Sequence, residues 1–167
     1  MSPVLVLAAG NDARGDDALG PTLLARIEAQ GWAHVRTVFD FQFQIEHALE
    51  FDGADLVLFI DAHARQTEPV VLSELRQAQA AVAGSHALSP AQVLGVHAQI
   101  SAAPPPPIFV LSVAGEQFEL GAAMSGRAQA ALARAEALAF ELLRHPDVPL
   151  WRRAAGGTRS SAADAAG

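Results

Sequence analysis

Residues 5–20, LVLAAGNDARGDDALG, contain the transition that decides the fold. The apolar run at the start is too short for a helix and predicts a strand covered on both faces. It leads into a loop with Gly10 and Asn11, and this loop delivers Asp16 and Asp17 to the start of a helix. A strand fixes the position of a carboxylate that follows it, and the loop exposes that carboxylate. These two acids are therefore candidates for binding a metal ion or a proton.

The rest of the chain repeats this alternation of short apolar runs with segments of helical periodicity. It predicts a single three-layer α/β/α domain over residues 1–150, with a mostly parallel, twisted sheet of about five strands. Residues 151–167 have no apolar periodicity and predict a flexible C-terminal tail. After the first strand and helix, we expect strands at 35–39, 56–60, 68–75 (an edge strand) and 108–113, and helices within 41–53 and at 89–100 and 125–143.

Two details of the segment 39–51 can be tested by a structure. Its helix is predicted to turn Ile45, Ala48 and Leu49 inward. Just before it, Phe39 and Phe41 alternate with polar residues and are followed at the same spacing by Phe43. We interpret these three rings as part of the core rather than as a docking patch.

Composition excludes several classes of protein. The chain has 167 residues, of which 51% are hydrophobic, enough for one domain with a core. A net charge of −7 argues against nucleic-acid binding. The absence of cysteine excludes disulfides, thiolate nucleophiles and iron–sulfur ligation. The N-terminal residues do not predict a signal peptide, and no apolar run approaches membrane-spanning length, so we expect a cytoplasmic protein without membrane association.

Three residues form the candidate site. Asp17 follows the first strand, Asp61 ends the apolar run LVLFI, and His86 precedes the helix that Ser89 is expected to cap. Their oxygen and nitrogen atoms suit a borderline divalent ion such as nickel or zinc, or a base and its orienting partner around a water. The alternatives are that Asp16 and Asp17 serve as helix caps, and that His86 is an ordinary surface histidine.

Three motifs in order resemble those of the nickel-iron hydrogenase maturation endopeptidases. They are GNDARGDDALG after the N-terminal strand, LVLFIDA in mid-chain and SHALSPAQVL before the last strand. The resemblance covers nearly all of the chain to about residue 145. The phrase DFQFQIEHAL at 40–49 is most similar to the branch that serves cytoplasmic, NAD-reducing-type hydrogenases.

The resemblance implies an endopeptidase that removes a C-terminal peptide from the nickel-loaded large-subunit precursor of a hydrogenase. The nickel is supplied by the substrate, and no permanently bound metal is expected. The metal-contacting and catalytic positions of the family correspond to Asp17, Asp61 and His86, with the general base left open among them. Gly10 and Asn11 match the glycine-asparagine turn of the family. The precursor is the implied partner, and we expect a monomer.

Other functions compatible with the sequence are a non-catalytic, nickel-sensing assembly chaperone for the same subunit, an autonomous metallohydrolase and a nucleotide-binding module. The last is disfavoured because GNDARGDD would place two negative charges where a pyrophosphate sits. The metallohydrolase is disfavoured because the chain has no HExxH helix.

Overall fold

The computed structural model describes residues 1–76 and 87–165, with side chains described through residue 158. Two 3-10 helices, Gly15–Ala18 and Ile45–Phe51, supplement the strands and α-helices of this part of the chain. The strands are β1 Val4–Ala9, β2 Val35–Asp40, β3 Leu56–His63, β4 Val70–Leu75 and β5 Ile108–Ala114; the α-helices are α1 Leu19–Glu28, α2 Pro90–Ile100, α3 Gly126–Arg144 and α4 Val148–Ala165.

The sheet confirms the predicted three-layer α/β/α architecture. Its strand order is β2-β1-β3-β5-β4, with all neighbours parallel except β4, which runs antiparallel to β5 at one edge. Helices α1, α3 and α4 pack on one face, while the 3-10 helix Ile45–Phe51 and α2 pack on the other. Because β1, β2 and β3 are parallel, their carboxyl ends meet at one edge of the sheet, where ligands bind in open α/β folds.

Local sequence signals account for most of these elements. The apolar runs of β1 and β3 are buried on both faces from Val4 to Ala8 and from Leu56 to Ile60. Helix α2 begins as predicted, with Pro90 at its first turn and Ser89 and Gln92 forming a reciprocal capping box. No helix in the two described ranges is both long enough and apolar enough to cross a bilayer.

The prediction of a flexible tail is wrong, because residues 148–165 form helix α4. Trp151 is fully buried, and its ring meets the ring of Phe109 edge-on, with the ring centroids 5.3 Å apart. Its indole N–H donates to the carbonyl of Leu142 at 2.9 Å. Further along, the Thr158 hydroxyl bonds the backbone of Leu72 in β4. Contacts with the sheet therefore hold a helix whose sequence carries no clear apolar stripe.

The segment 39–51 also departs from prediction. In the 3-10 helix, His47, Ala48 and Phe51 face inward while Ile45 and Leu49 are exposed. Ala48 faces inward as predicted, whereas the prediction is wrong for Ile45 and Leu49. A 3-10 helix has three residues per turn, so Leu49 is rotated a third of a turn away from the face that Ala48 and Phe51 share.

The three alternating rings do not share one environment either. Phe43 is buried, but Phe39 and Phe41 are 46% and 64% exposed. The interpretation of all three as core is therefore wrong for two of them. They lie at the end of β2, an edge strand that has a neighbour on one side only.

Candidate functional site

Two of the three predicted site residues come together at the carboxyl edge of the sheet. Asp61 lies within β3, paired in register with Ser112 of β5. Asp17 lies in the 3-10 helix that follows β1, the neighbouring strand. The two carboxylates are close enough for the charge of Asp17 to affect the pKa of Asp61. Both are partly buried, so they retain access to solvent at the surface of this edge.

The loop between β1 and α1 is shaped to hold Asp17 in place. The backbone N–H of Asn11 donates to the Asp17 carboxylate at 2.8 Å. Gly10 has a φ of +151°, and a Cβ added there would lie 2.0 Å from the backbone oxygen of Asp17. A side chain at position 10 is thus excluded both by the backbone conformation and by space. The Gly10-Asn11 pair therefore brings the loop into contact with Asp17 and fixes its carboxylate.

The fold disfavours the ionised form of Asp61. Burial raises the pKa of Asp61 above its ordinary value, the nearby His63 opposes this shift, and the negative charge of Asp17 raises the pKa further. A cation between the two carboxylates would relieve both the burial penalty and the repulsion. Burial and the neighbouring charge therefore both favour the protonated form of Asp61 over the carboxylate.

Asp16 has a different role from its neighbour. It is completely buried, and its carboxylate accepts hydrogen bonds from the backbone N–H groups of Glu116, Gln117 and Ser125 and from the Ser125 hydroxyl, at 2.7 to 3.0 Å. Burial alone raises the pKa of Asp16, but these bonds outweigh burial, so the pKa lies below its ordinary value. Asp16 is thus a clamp between two loops that are about 100 residues apart in sequence, and the helix-cap interpretation misses this.

The third predicted site residue, His86, lies outside the described residues. The described chain resumes at residue 87, and the Leu88 N–H donates to the carbonyl of Phe43 at 3.0 Å, just beyond the carboxyl end of β2. His63, at the end of β3, is exposed and near enough to Asp61 to influence its pKa. Within the described ranges, no group of three or more His, Asp or Glu side chains is arranged to hold a metal ion.

Comparison with known proteins finds no match by sequence but several matches by fold. Neither a protein-family model nor a curated protein matches the sequence. Solved structures do match. The NiFe hydrogenase maturation protease HycI from Thermococcus kodakarensis KOD1 has a TM-score of 0.66 at 19% identity, covering 86% of this chain and 94% of that chain. The hydrogenase maturating endopeptidase HybD from E. coli has a TM-score of 0.65 at 18% identity, covering 86% and 93%.

The chain has the fold of the hydrogenase maturation endopeptidases. A third example is the NiFe hydrogenase maturation protease HybD from Thermococcus kodakarensis, with a TM-score of 0.62 at 21% identity over 84% of this chain and 98% of that chain. The match therefore spans nearly the whole of each of these proteases. This agrees with the family resemblance that the three sequence motifs carry.

Because the pKa of Asp61 is raised, its charge lowers the stability of the fold at neutral pH. The corresponding contribution to stability is complete below the ordinary pKa of 3.8 and is lost as the pH rises through the higher pKa of the folded state. We therefore expect Asp61→Asn to raise the free energy of unfolding at pH 7, measured by urea denaturation. The difference from the wild type should shrink below pH 3.8. A loss of stability at pH 7 would contradict this account of Asp61.

Proposed function

We propose that the protein is an endopeptidase that removes a C-terminal peptide from the nickel-loaded large-subunit precursor of a NiFe hydrogenase. Asp17 and Asp61 bind the nickel of the substrate, and His86 is the proposed third ligand. The observation that supports this most directly is the convergence of Asp17 and Asp61 at the carboxyl edge of a sheet whose fold is that of named maturation endopeptidases.

The chemistry of the two carboxylates fits a metal ion that arrives with the substrate. Asp17, Asp61 and the proposed ligand His86 offer three ligands to a metal ion, which leaves coordination positions for ligands that the precursor brings. Nickel already bound to the precursor brings its own ligands and needs only the remaining positions filled. Cleavage would then follow nickel insertion, because the precursor without nickel lacks the group that the carboxylates recognise.

Within this arrangement, the residues of the chain orient the substrate and handle protons. Asp17 is fixed by the Asn11 N–H, so it can hold the metal centre in one position relative to the scissile peptide. Asp61, with its raised pKa, is suited to exchange a proton with a water near the metal. The nickel of the substrate can polarise the scissile carbonyl or that water.

The decisive experiment compares nickel-loaded with nickel-free precursor under identical conditions. We expect the protein to shorten only the loaded precursor, with release of a single C-terminal peptide detected by mass spectrometry. Binding of the loaded precursor without shortening would instead support the assembly chaperone. Equal cleavage of both forms would contradict recognition of nickel, and cleavage of unrelated peptides with added zinc would indicate an autonomous metallohydrolase.

A further inference from the structure

A groove beside the candidate site has no role in the function proposed above. It has a volume of about 440 Å³ and lies between α1 and the end of β2. Phe39 and Phe41 line one side, in an edge-to-face pair with ring centroids 5.7 Å apart, and Pro21 and Leu24 line the other. Exposed aromatic rings at a concave surface are a common feature of binding sites.

The charged residues that line the groove are both acidic. Asp12 and Glu28 both line it, and no arginine of the described residues does so. Glu28 accepts a hydrogen bond from Thr37 at 2.7 Å, which holds its carboxylate at the wall. The combination of two aromatic rings with two carboxylates is complementary to a side chain that has an aliphatic stem and a cationic head.

The groove adjoins the loop that holds Asp17. Asp12 directly follows Asn11, whose N–H binds the Asp17 carboxylate. Asp40, between Phe39 and Phe41, accepts a hydrogen bond through its carbonyl from the N–H of Gly10. The loop that fixes Asp17 therefore also forms part of the groove, and a peptide whose scissile bond lies at Asp17 can extend into it.

We propose that this groove binds an arginine or lysine side chain of the peptide substrate, near the bond that is cleaved. The aliphatic stem lies against Phe39 and Phe41, and the cation faces Asp12 and Glu28. Exposed rings and partly solvated carboxylates each provide a small stabilisation, so the groove selects a side chain without binding a peptide tightly by itself. This inference rests on the proposed function for the identity of the peptide, while the binding preference can be measured without any cleavage.

The first measurement uses the full-length protein and short synthetic peptides, monitored by NMR. The peptides carry arginine, norleucine or glutamate at the central position of an otherwise neutral sequence. We expect the arginine peptide to shift the amide signals of Asp12, Phe39 and Phe41, with an affinity about fivefold higher than that of the norleucine peptide. That advantage should decrease as NaCl rises from about 0.05 M to about 0.5 M, because salt screens exposed charges. Equal affinity for the three peptides, or shifts confined to other surfaces, would overturn the proposal.

Matched variants test the two halves of the groove separately. Asp12→Asn and Phe41→Ala should each weaken binding of the arginine peptide, and Asp12→Asn should also remove most of its salt dependence. The controls are Asp52→Asn, which removes an exposed charge elsewhere, and Leu49→Ala, which removes a side chain 63% exposed and outside the groove. Both controls should bind like the wild type. Weakening by the controls to the same degree would indicate a general effect of charge or apolar surface and would overturn the proposal.

The precursor provides a second readout. With nickel-loaded precursor, Asp12→Asn and Phe41→Ala should raise KM severalfold while kcat changes little, since neither side chain contacts the metal. If the wild type cleaves the precursor and these variants retain its KM, the groove inference fails while the proposed function stands. If the wild type does not cleave the precursor, the proposed function fails, and the peptide titrations still decide whether the groove selects a cation.

Discussion

The Asp17→Asn variant is expected to lose cleavage of the nickel-loaded precursor while keeping its fold. Asparagine retains the size of the side chain and an oxygen that can accept the Asn11 N–H, so the loop should keep its geometry. The variant loses the negative charge that, in the proposed function, binds the metal centre and holds the scissile peptide in place. Loss of such a group typically costs about 3 to 4 kcal/mol in the transition state, so we expect the rate to fall by about 10² to 10³.

The measurement is a single-turnover assay of precursor shortening, together with circular dichroism and thermal denaturation of the variant. Asp55→Asn is the matched control, because it removes the same charge at an exposed residue just before β3, at the opposite end of the strand from Asp61. This control should cleave like the wild type. Full activity of Asp17→Asn would end the assignment of Asp17 to the site. If Asp17→Asn lost both its activity and its fold, Asp17→Ser would be assayed in its place.

The second variant, Asp16→Ala, is expected to lower the stability of the fold. Asp16→Ala removes the acceptor of four hydrogen bonds and leaves the backbone donors of Glu116, Gln117 and Ser125 without their partner. A buried donor without a partner costs about 1 to 3 kcal/mol, and some of these groups will find water. We therefore expect a loss of about 4 kcal/mol in the free energy of unfolding. For a chain of this length, that corresponds to a decrease of roughly 10 °C in Tm.

The pH dependence of stability distinguishes loss of the hydrogen bonds to Asp16 from simple loss of packing. The pKa of Asp16 is lowered in the folded state, so its stabilisation is complete above the ordinary value of 3.8 and is lost as the pH falls through the lower folded pKa. The difference between wild type and Asp16→Ala should thus decrease at acid pH. Glu119→Ala is the control, since it removes an exposed carboxylate from the same loop. A stability loss in Asp16→Ala that is equally large at every pH would contradict the electrostatic account.

Much of the fold follows from short-range sequence signals. The apolar runs of β1 and β3 are too short for helices and too apolar for one exposed face, which predicts central strands of a parallel sheet. Capping at Ser89 and the long helical stripe of α3 are likewise local features. The positions of Asp17 and Asp61 at strand ends follow from the same patterns, because parallel strands bring their carboxyl ends to one edge.

Other features depend on contacts that no local pattern contains. The partners of Asp16 lie about 100 residues away, so a helix cap is the natural but wrong interpretation of its position. Phe39 and Phe41 are exposed because β2 is an edge strand, and the order of strands in the sheet is not visible in the alternation of residues. Both interpretations are wrong because local sequence does not show which distant segment lies next to a residue.

By itself, the sequence determined the class of fold, the succession along the chain of the five strands and of helices α1 to α3, and the strand-end placement of the carboxylates of Asp17 and Asp61. These properties depend on periodicity and on residues within a few positions of each other. The tertiary structure alone decided that Asp16 is a clamp while Asp17 is partly exposed beside Asp61, that residues 148–165 form a helix, and that two phenylalanines border an acidic groove. Burial, hydrogen-bond partners and the pKa of a carboxylate are set by neighbours in space, and chain order does not specify those neighbours.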